Sequence, residues 1–158
     1  MEVRTTTLRE PQVRSLLEAH QRDMHAVSPP GTSFALDLAG LSGPEIALFG
    51  CWENDTLCAV GAMRTLSPTH AEIKSMRTHP DHLRKGAGEV ILLAILDHAR
   101  TNGVARISLE TGTGEAFAPA VRLYTKHGFR PGEPFAGYAN GPHNQCYHRA
   151  LLDEPGSL

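Results

Sequence analysis

Residues 72–96 read EIKSMRTHPDHLRKGAGEVILLAIL, and the spacing of the apolar residues changes inside that stretch. From Glu72 to Thr78 the side chains alternate in character, as in a strand with two unlike faces. The middle is basic and broken by glycines, and from Val90 onward the pattern is that of an apolar helix. The loop therefore delivers the chain into a helix start. Gly86 and Gly88 carry no Cβ, so the backbone can turn tightly there and a ligand can approach the main chain. Unpaired N–H groups and the positive end of the helix dipole favour an anion at such a place, and Arg84 and Lys85 add cations. The segment can thus serve as a diphosphate cradle. A tight strand-to-helix connection carrying two solvated basic residues would use the same letters. Neither G-x-x-x-x-G-K-[ST] nor a G-x-G-x-x-G following a strand occurs, which disfavours P-loop and dinucleotide-binding readings.

Working outward, Glu2 to Leu8 suits a strand, and Pro11 fits the first turn of a helix carrying Val13, Leu16, Leu17 and His20 or Met24 at helical spacing. VSPPGTS ends that helix, and FALDLAGL reads as either helix or loop. EIALFGCWE and TLCAVGAMRTL form a hairpin about Asn54-Asp55, and HAEIKSMRT supplies a third sequential strand. A helix from about Gly86 to Asn102 ends at Gly103, the position for a left-handed cap. VARISLET is a strand and AFAPAVRLYTKH a helix capped by Gly128. FRPGEPFAGYANGPHN reads as loop, QCYHRALL as the last strand, and the residues from about 153 as a loose end. The order predicts one α+β domain over residues 1–158, built on a central sheet.

The chain has 158 residues, 41% apolar and 20% charged, with a formal net charge of −2. Such a balance argues against general affinity for nucleic acid or anionic membrane, so any attraction for anions must be local. No apolar run is long enough to span a bilayer and the first residues lack a signal-peptide pattern, which predicts a cytoplasmic protein. Cys51, Cys58 and Cys146 show no C-x-x-C spacing. The hairpin would set Cys51 opposite Cys58, and reduced thiols are expected over a cross-strand disulfide. The nine histidines fall in no metal-binding spacing, so no metal is expected.

The spacing from Glu72 to Gly86-Ala87-Gly88, with the later APAVRLYTKHGF, resembles the Gcn5-related N-acetyltransferase (GNAT) superfamily. That family has a [QR]-x-x-G-x-[GA] diphosphate loop and a later A-x-x-L-Y-x-x-x-G-F segment, matched here by Ala120, Leu123, Tyr124, Gly128 and Phe129. SPPGTSFALDLAGL, SLETGTGEAFAPA and EPFAGY further resemble a bacterial subfamily of small members. Two positions depart from the pattern. Leu83 stands where the loop opens with Gln or Arg, and Phe117 replaces the Asn often found before the motif tyrosine. The resemblance implies a GNAT-like α/β/α fold with a mixed, mostly antiparallel sheet of about seven strands and about four helices.

It further implies acetyl-CoA as co-substrate, no metal, and transfer to an amine acceptor. The loop Leu83, Arg84, Lys85, Gly86, Ala87 and Gly88 would hold the diphosphate. Met76, Arg77 and Thr78 would hold the pantetheine arm through their backbone, with Phe117 and Ala120 beside it. An N–H near Met76 would polarise the thioester carbonyl. Tyr124 occupies the position associated with protonating the departing sulfur, and a half-buried core tyrosine is its alternative. Direct attack needs an uncharged amine and therefore a base. Glu72 stands at the spacing of the catalytic glutamate of histone-modifying members. Alternation would put Lys74 and Met76 on its face, while a surface glutamate paired with a lysine is the structural alternative.

His25, Ser28, Glu110 and Tyr138 are candidates for the acceptor side. The expected acceptor is a small amine or amino-acid-like molecule, with a peptide, a protein N-terminus or a lysine as alternatives. An acyl-CoA sensor would need only the loop, and a structural protein neither the loop nor Tyr124. A homodimer is expected from the resemblance alone.

Overall fold

The structure is a computed structural model and describes residues 1–27 and 38–151. Ser28, the SPPGTS segment, the first half of FALDLAGL and the tail from 152 lie outside the described residues. The elements are β1 (Glu2–Thr6), α1 (Pro11–Val27), β2 (Ile46–Glu53), β3 (Thr56–Ser67), β4 (His70–Thr78), α2 (Ala87–Thr101), β5 (Arg106–Gly112), α3 (Ala118–Lys126), β6 (Arg130–Gly132) and β7 (Asn144–Ala150). Short 3₁₀ turns occupy Ala39–Leu41, Pro80–His82 and Glu115–Phe117. The fourth expected helix is thus absent among the described residues, where three α-helices and these turns stand instead.

All seven strands join one sheet in the order β1-β2-β3-β4-β5-β7-β6. Each neighbouring pair is antiparallel except β4 and β5, which are parallel. β6 corrects the loop expectation for FRPG. Its Pro131 cannot donate to a ladder, and the strand sits at the sheet edge, where that loss is tolerated.

Alternation along the strands divides two apolar clusters between the faces. Val13, Leu16 and Leu17 of α1 pack on Leu48, Trp52, Val60 and Ala62. Ile91, Leu92, Ile95 and Leu96 of α2, with Tyr124 and Phe129, cover Phe49, Ile73, Ile107 and Leu109 on the other face. Gln12 ties the start of α1 to the first hairpin, donating to the Asp55 carbonyl at 2.8 Å and accepting from the Leu57 N–H at 2.9 Å. The turn residue Asn54 takes a positive φ of 56°, which suits asparagine. Cys51 pairs in register with Ala59, not Cys58, because the ladder shifts between Cys51 and Trp52. All three cysteines are free and buried.

A second irregularity shapes the molecule more deeply. Val60 pairs with Arg77 but Ala62 pairs with Lys74, so β4 carries an extra residue there, with Ser75 at φ 58°. Such a bulge bends its strand. β4 and β5 pair only through His70–Glu72 and Arg106–Ser108. Past that point Ile73–Thr78 and Leu109–Gly112 run on without pairing to one another. The sheet therefore opens into a gap at its centre.

Candidate active site

A cavity of about 840 Å³ passes through this gap. On the α2 side its wall includes Thr78, Gly86, Gly88, Phe117, Ala120 and Tyr124; on the α1 side it includes His20, Met24, Lys74, Arg77 and Glu110. The two groups stand on opposite faces of one sheet and meet only where β4 and β5 separate.

At one end the loop behaves as its glycines require. Gly86 takes φ 83° as the N-cap residue of α2, and no side chain caps the helix. A Cβ at Gly86 would have nothing within 4 Å, and one at Gly88 would first meet Thr78 Oγ1 at 3.4 Å. The helix start thus presents open backbone beside Arg84, itself at φ 64°. Leu83 and Ala87 complete this wall, Leu83 largely exposed. Lys85 is exposed and does not line the cavity. Glu89, in the first turn, binds Lys126 and His127 at 2.7 Å each, and these hydrogen bonds hold its carboxyl below the usual range.

Tyr124 lies on α3 with its ring against Phe129, 6% exposed. Burial alone pushes its phenol well above the ordinary value, and its hydroxyl makes no hydrogen bond among the described residues. A protonated donor without a partner, facing a cavity, is equipped to give a hydrogen bond to an incoming group. Phe117 packs on Gly112 so closely that a Cβ there would stand 2.2 Å from its ring.

The bulge overturns the expected face of Met76. Lys74 does share the face of Glu72, but Met76 packs with Ile73 toward α2 because Ser75 resets the alternation. Glu72 is not a surface residue either, being 1% exposed. Its Oε2 accepts from the Tyr138 hydroxyl at 2.6 Å and from Lys74 Nζ at 3.4 Å, and Arg64 lies 3.9 Å from Oε1. Lys74 also donates to the Tyr138 hydroxyl. Burial first, then the bond to Glu72, raises the Tyr138 phenol. Glu72 is therefore held in a closed network beside the cavity and does not line it.

Glu110 does line it. Burial pushes this carboxyl up to about 7, against the pull of Lys74 and with some help from Glu72. Beneath it runs a chain in which Ser108 Oγ lies 2.7 Å from both His70 Nε2 and His148 Nδ1, and His148 Nε2 lies 2.7 Å from the Glu133 carbonyl. His25 falls within α1.

Sequence reasoning did not pick out Asp23, which pairs with Arg77, or Lys74 as a cavity residue. The one available signal was His20 on the apolar stripe of α1, where a polar side chain has to face something. The structure also gathers Glu53, Cys58 and His82, whose ligand-type atoms lie within 4.8 Å of one another. Cys58 Sγ and His82 Nδ1 are in hydrogen-bond contact at 3.5 Å. Among the described residues no helix is long and apolar enough to cross a membrane.

The model of the acetyltransferase (GNAT) family matches residues 13–129. The chain is 43% identical over 144 residues to the uncharacterized N-acetyltransferase YsnE of Bacillus subtilis, covering 91% of this chain and 95% of that one. It is 41% identical over 151 residues to the uncharacterized N-acetyltransferase YedL of Escherichia coli, covering 96% and 95%. Among solved structures, a Bacillus subtilis acetyltransferase in complex with CoA superposes with a TM-score of 0.69 at 18% identity, covering 96% and 99%. The chain belongs to the GNAT acetyltransferase family and is an acetyltransferase.

Proposed function

We propose that the protein transfers the acetyl group of acetyl-CoA to a primary amine of a small molecule or peptide by direct attack. The observation that carries this reading is the unpaired stretch of β4 and β5, which opens a cavity from the Gly86 loop to Glu110 through the sheet. Acetyl-CoA supplies the activated acyl carbon and a thiolate leaving group. The open backbone at Gly86 and Gly88, with Arg84 beside it, fits its diphosphate. The backbone of Met76, Arg77 and Thr78, on the edge of β4 that β5 leaves uncovered, fits a pantetheine arm, and an N–H near Met76 serves the thioester carbonyl.

Glu110 is the better base of the two carboxylates. It faces the cavity, and a pKa of about 7 lets it take a proton from the amine near neutral pH. Glu72, committed to Tyr138 and Lys74, positions that wall. Tyr124 gives its proton to the departing sulfur. One N–H bond and the C–S bond break, an N–C bond forms, and a thiol leaves with the amide.

Calorimetry with acetyl-CoA tests the cofactor half, using wild type and Gly86→Glu, with circular dichroism as the folding check. Binding lost in a folded variant supports the loop as the cradle. No binding by folded wild type overturns both the transfer reading and the sensor alternative.

A further inference from the structure

Two buried polar atoms on the α1 side of the cavity have no hydrogen-bond partner among the described residues, His20 Nδ1 and Arg77 Nε. His20 is only 8% exposed, and Arg77 retains 20% of its side-chain exposure. A buried donor or acceptor without a partner is costly, so a site that keeps two in one wall is built for something that completes them.

The arrangement of charge says what that is. Lys74 and Arg77 line the cavity, whereas the carboxylates that pair with them, Glu72 and Asp23, do not. Both counter-ions stand behind their cations. Asp23 engages one terminal nitrogen of the guanidinium, while Nε of this cavity-lining residue has no partner among the described residues. The only carboxylates in the described wall are Glu110 and Glu89, and Glu89 sits at the far end, engaged by Lys126 and His127. The α1 side thus offers two fixed cations and an imidazole to its occupant, with Glu110 set across from them.

Cations in this position do not duplicate the diphosphate cradle. Arg77 reaches toward Asp23 of α1, on the sheet face opposite α2 and its glycine loop. A guanidinium pinned from behind, with a donor left over, recognises a carboxylate through charge-assisted hydrogen bonds.

We infer that the acceptor carries a carboxylate as well as the amine that is acetylated, as an amino acid does, and that Arg77 and His20, aided by Lys74, form the subsite that holds it. This rests on the acetyl-transfer reading above. The Nε–H of Arg77 donates to one carboxylate oxygen, His20 donates from Nδ1 to the same group, and Lys74 contributes charge. The amine then lies toward Glu110 and the acyl carbon.

The test compares matched acceptors on the intact chain. Each common amino acid is assayed beside its carboxamide and its decarboxylated amine, following acetyl-CoA-dependent thiol release. The same set is titrated into the CoA-saturated protein by thermal shift. Calorimetry with CoA is run first. The expected result is a preference of about ten- to a hundredfold in kcat/KM for at least one free amino acid over both neutral counterparts. Arg77→Met collapses that preference, chiefly through KM. His20→Leu, which keeps the Asp23–Arg77 pair, lowers it in the same direction with CoA affinity unchanged, and covers the case in which Arg77→Met fails to fold.

Equal or better use of the neutral compounds overturns the inference while transfer stands. So does a preference that survives in folded Arg77→Met, a loss of CoA affinity in folded His20→Leu, or CoA binding with no amino acid bound or used. Failure of wild type to bind CoA overturns the transfer reading itself.

Discussion

His20 offers the sharpest test of the α1 wall because its signature needs no substrate. Burial, and secondarily the Arg77 charge, lower its pKa to about 4, against a small opposing effect of Asp23. The unfolded chain takes up a proton near pH 6.5. Between these values the unfolded state binds more protons, so stability falls as pH falls. The contribution is complete above about 6.5 and is lost progressively down to about 4. At pH 5 the loss amounts to about 2 kcal/mol.

His20→Leu removes both the titration and the unpartnered Nδ1. The variant should be at least as stable as wild type at pH 7.5, because one buried polar atom without a partner is removed and none is added. Urea unfolding at pH 7.5 and 5.0 reads the difference. Wild type should lose about 2 kcal/mol more than His20→Leu between the two, a relative midpoint shift of about 1 M urea. His70, also lowered chiefly by burial, and the carboxylates Glu89 and Glu133 titrate in both proteins and cancel. Equal pH losses in the two proteins would refute the reasoning, since His20 would then titrate as if exposed.

Three further outcomes follow from the geometry. Tyr124→Phe should lower turnover by about a hundredfold while changing CoA affinity little, and equal turnover in the two proteins removes the acid role. For Glu110, activity should rise with pH through about 7, because the base works only when deprotonated. Glu110→Gln should abolish that limb and cut kcat/KM by about 10²–10⁴, whereas a variant keeping the limb would assign it elsewhere. At Gly61 a Cβ would stand 2.5 Å from Met76 Sδ and 2.6 Å from Ile91 Cγ2. Gly61→Ala should therefore cost about 1–3 kcal/mol and lower Tm by several degrees, and an unchanged Tm would mean the bulge region yields freely.

Much of this protein is local, and local features are legible in order along a chain. The turn at Asn54, the caps at Gly103 and Gly128 and the glycine loop before α2 each depend on φ/ψ demands met by a residue and its neighbours, so their letters announced them. Tyr124 and the loop could be named because their motifs hold fixed offsets on single elements.

What the sequence could not carry was any property that depends on which strands separate. The bulge at Ser75 has no sequence signal of its own, yet it turns Met76 to the other face and opens the sheet between β4 and β5. β6 was hidden because a three-residue edge strand containing proline has no periodicity to read. Glu72 and Glu110 are alike as letters. Burial and long-range partners separated them, closing one into a network with Tyr138 and leaving the other in the cavity wall with a raised pKa. Spacing along the chain thus decided which residues could serve the chemistry. Only the packing of α1 and the divergence of two strands, both set by contacts far apart in sequence, decided which of them face one another.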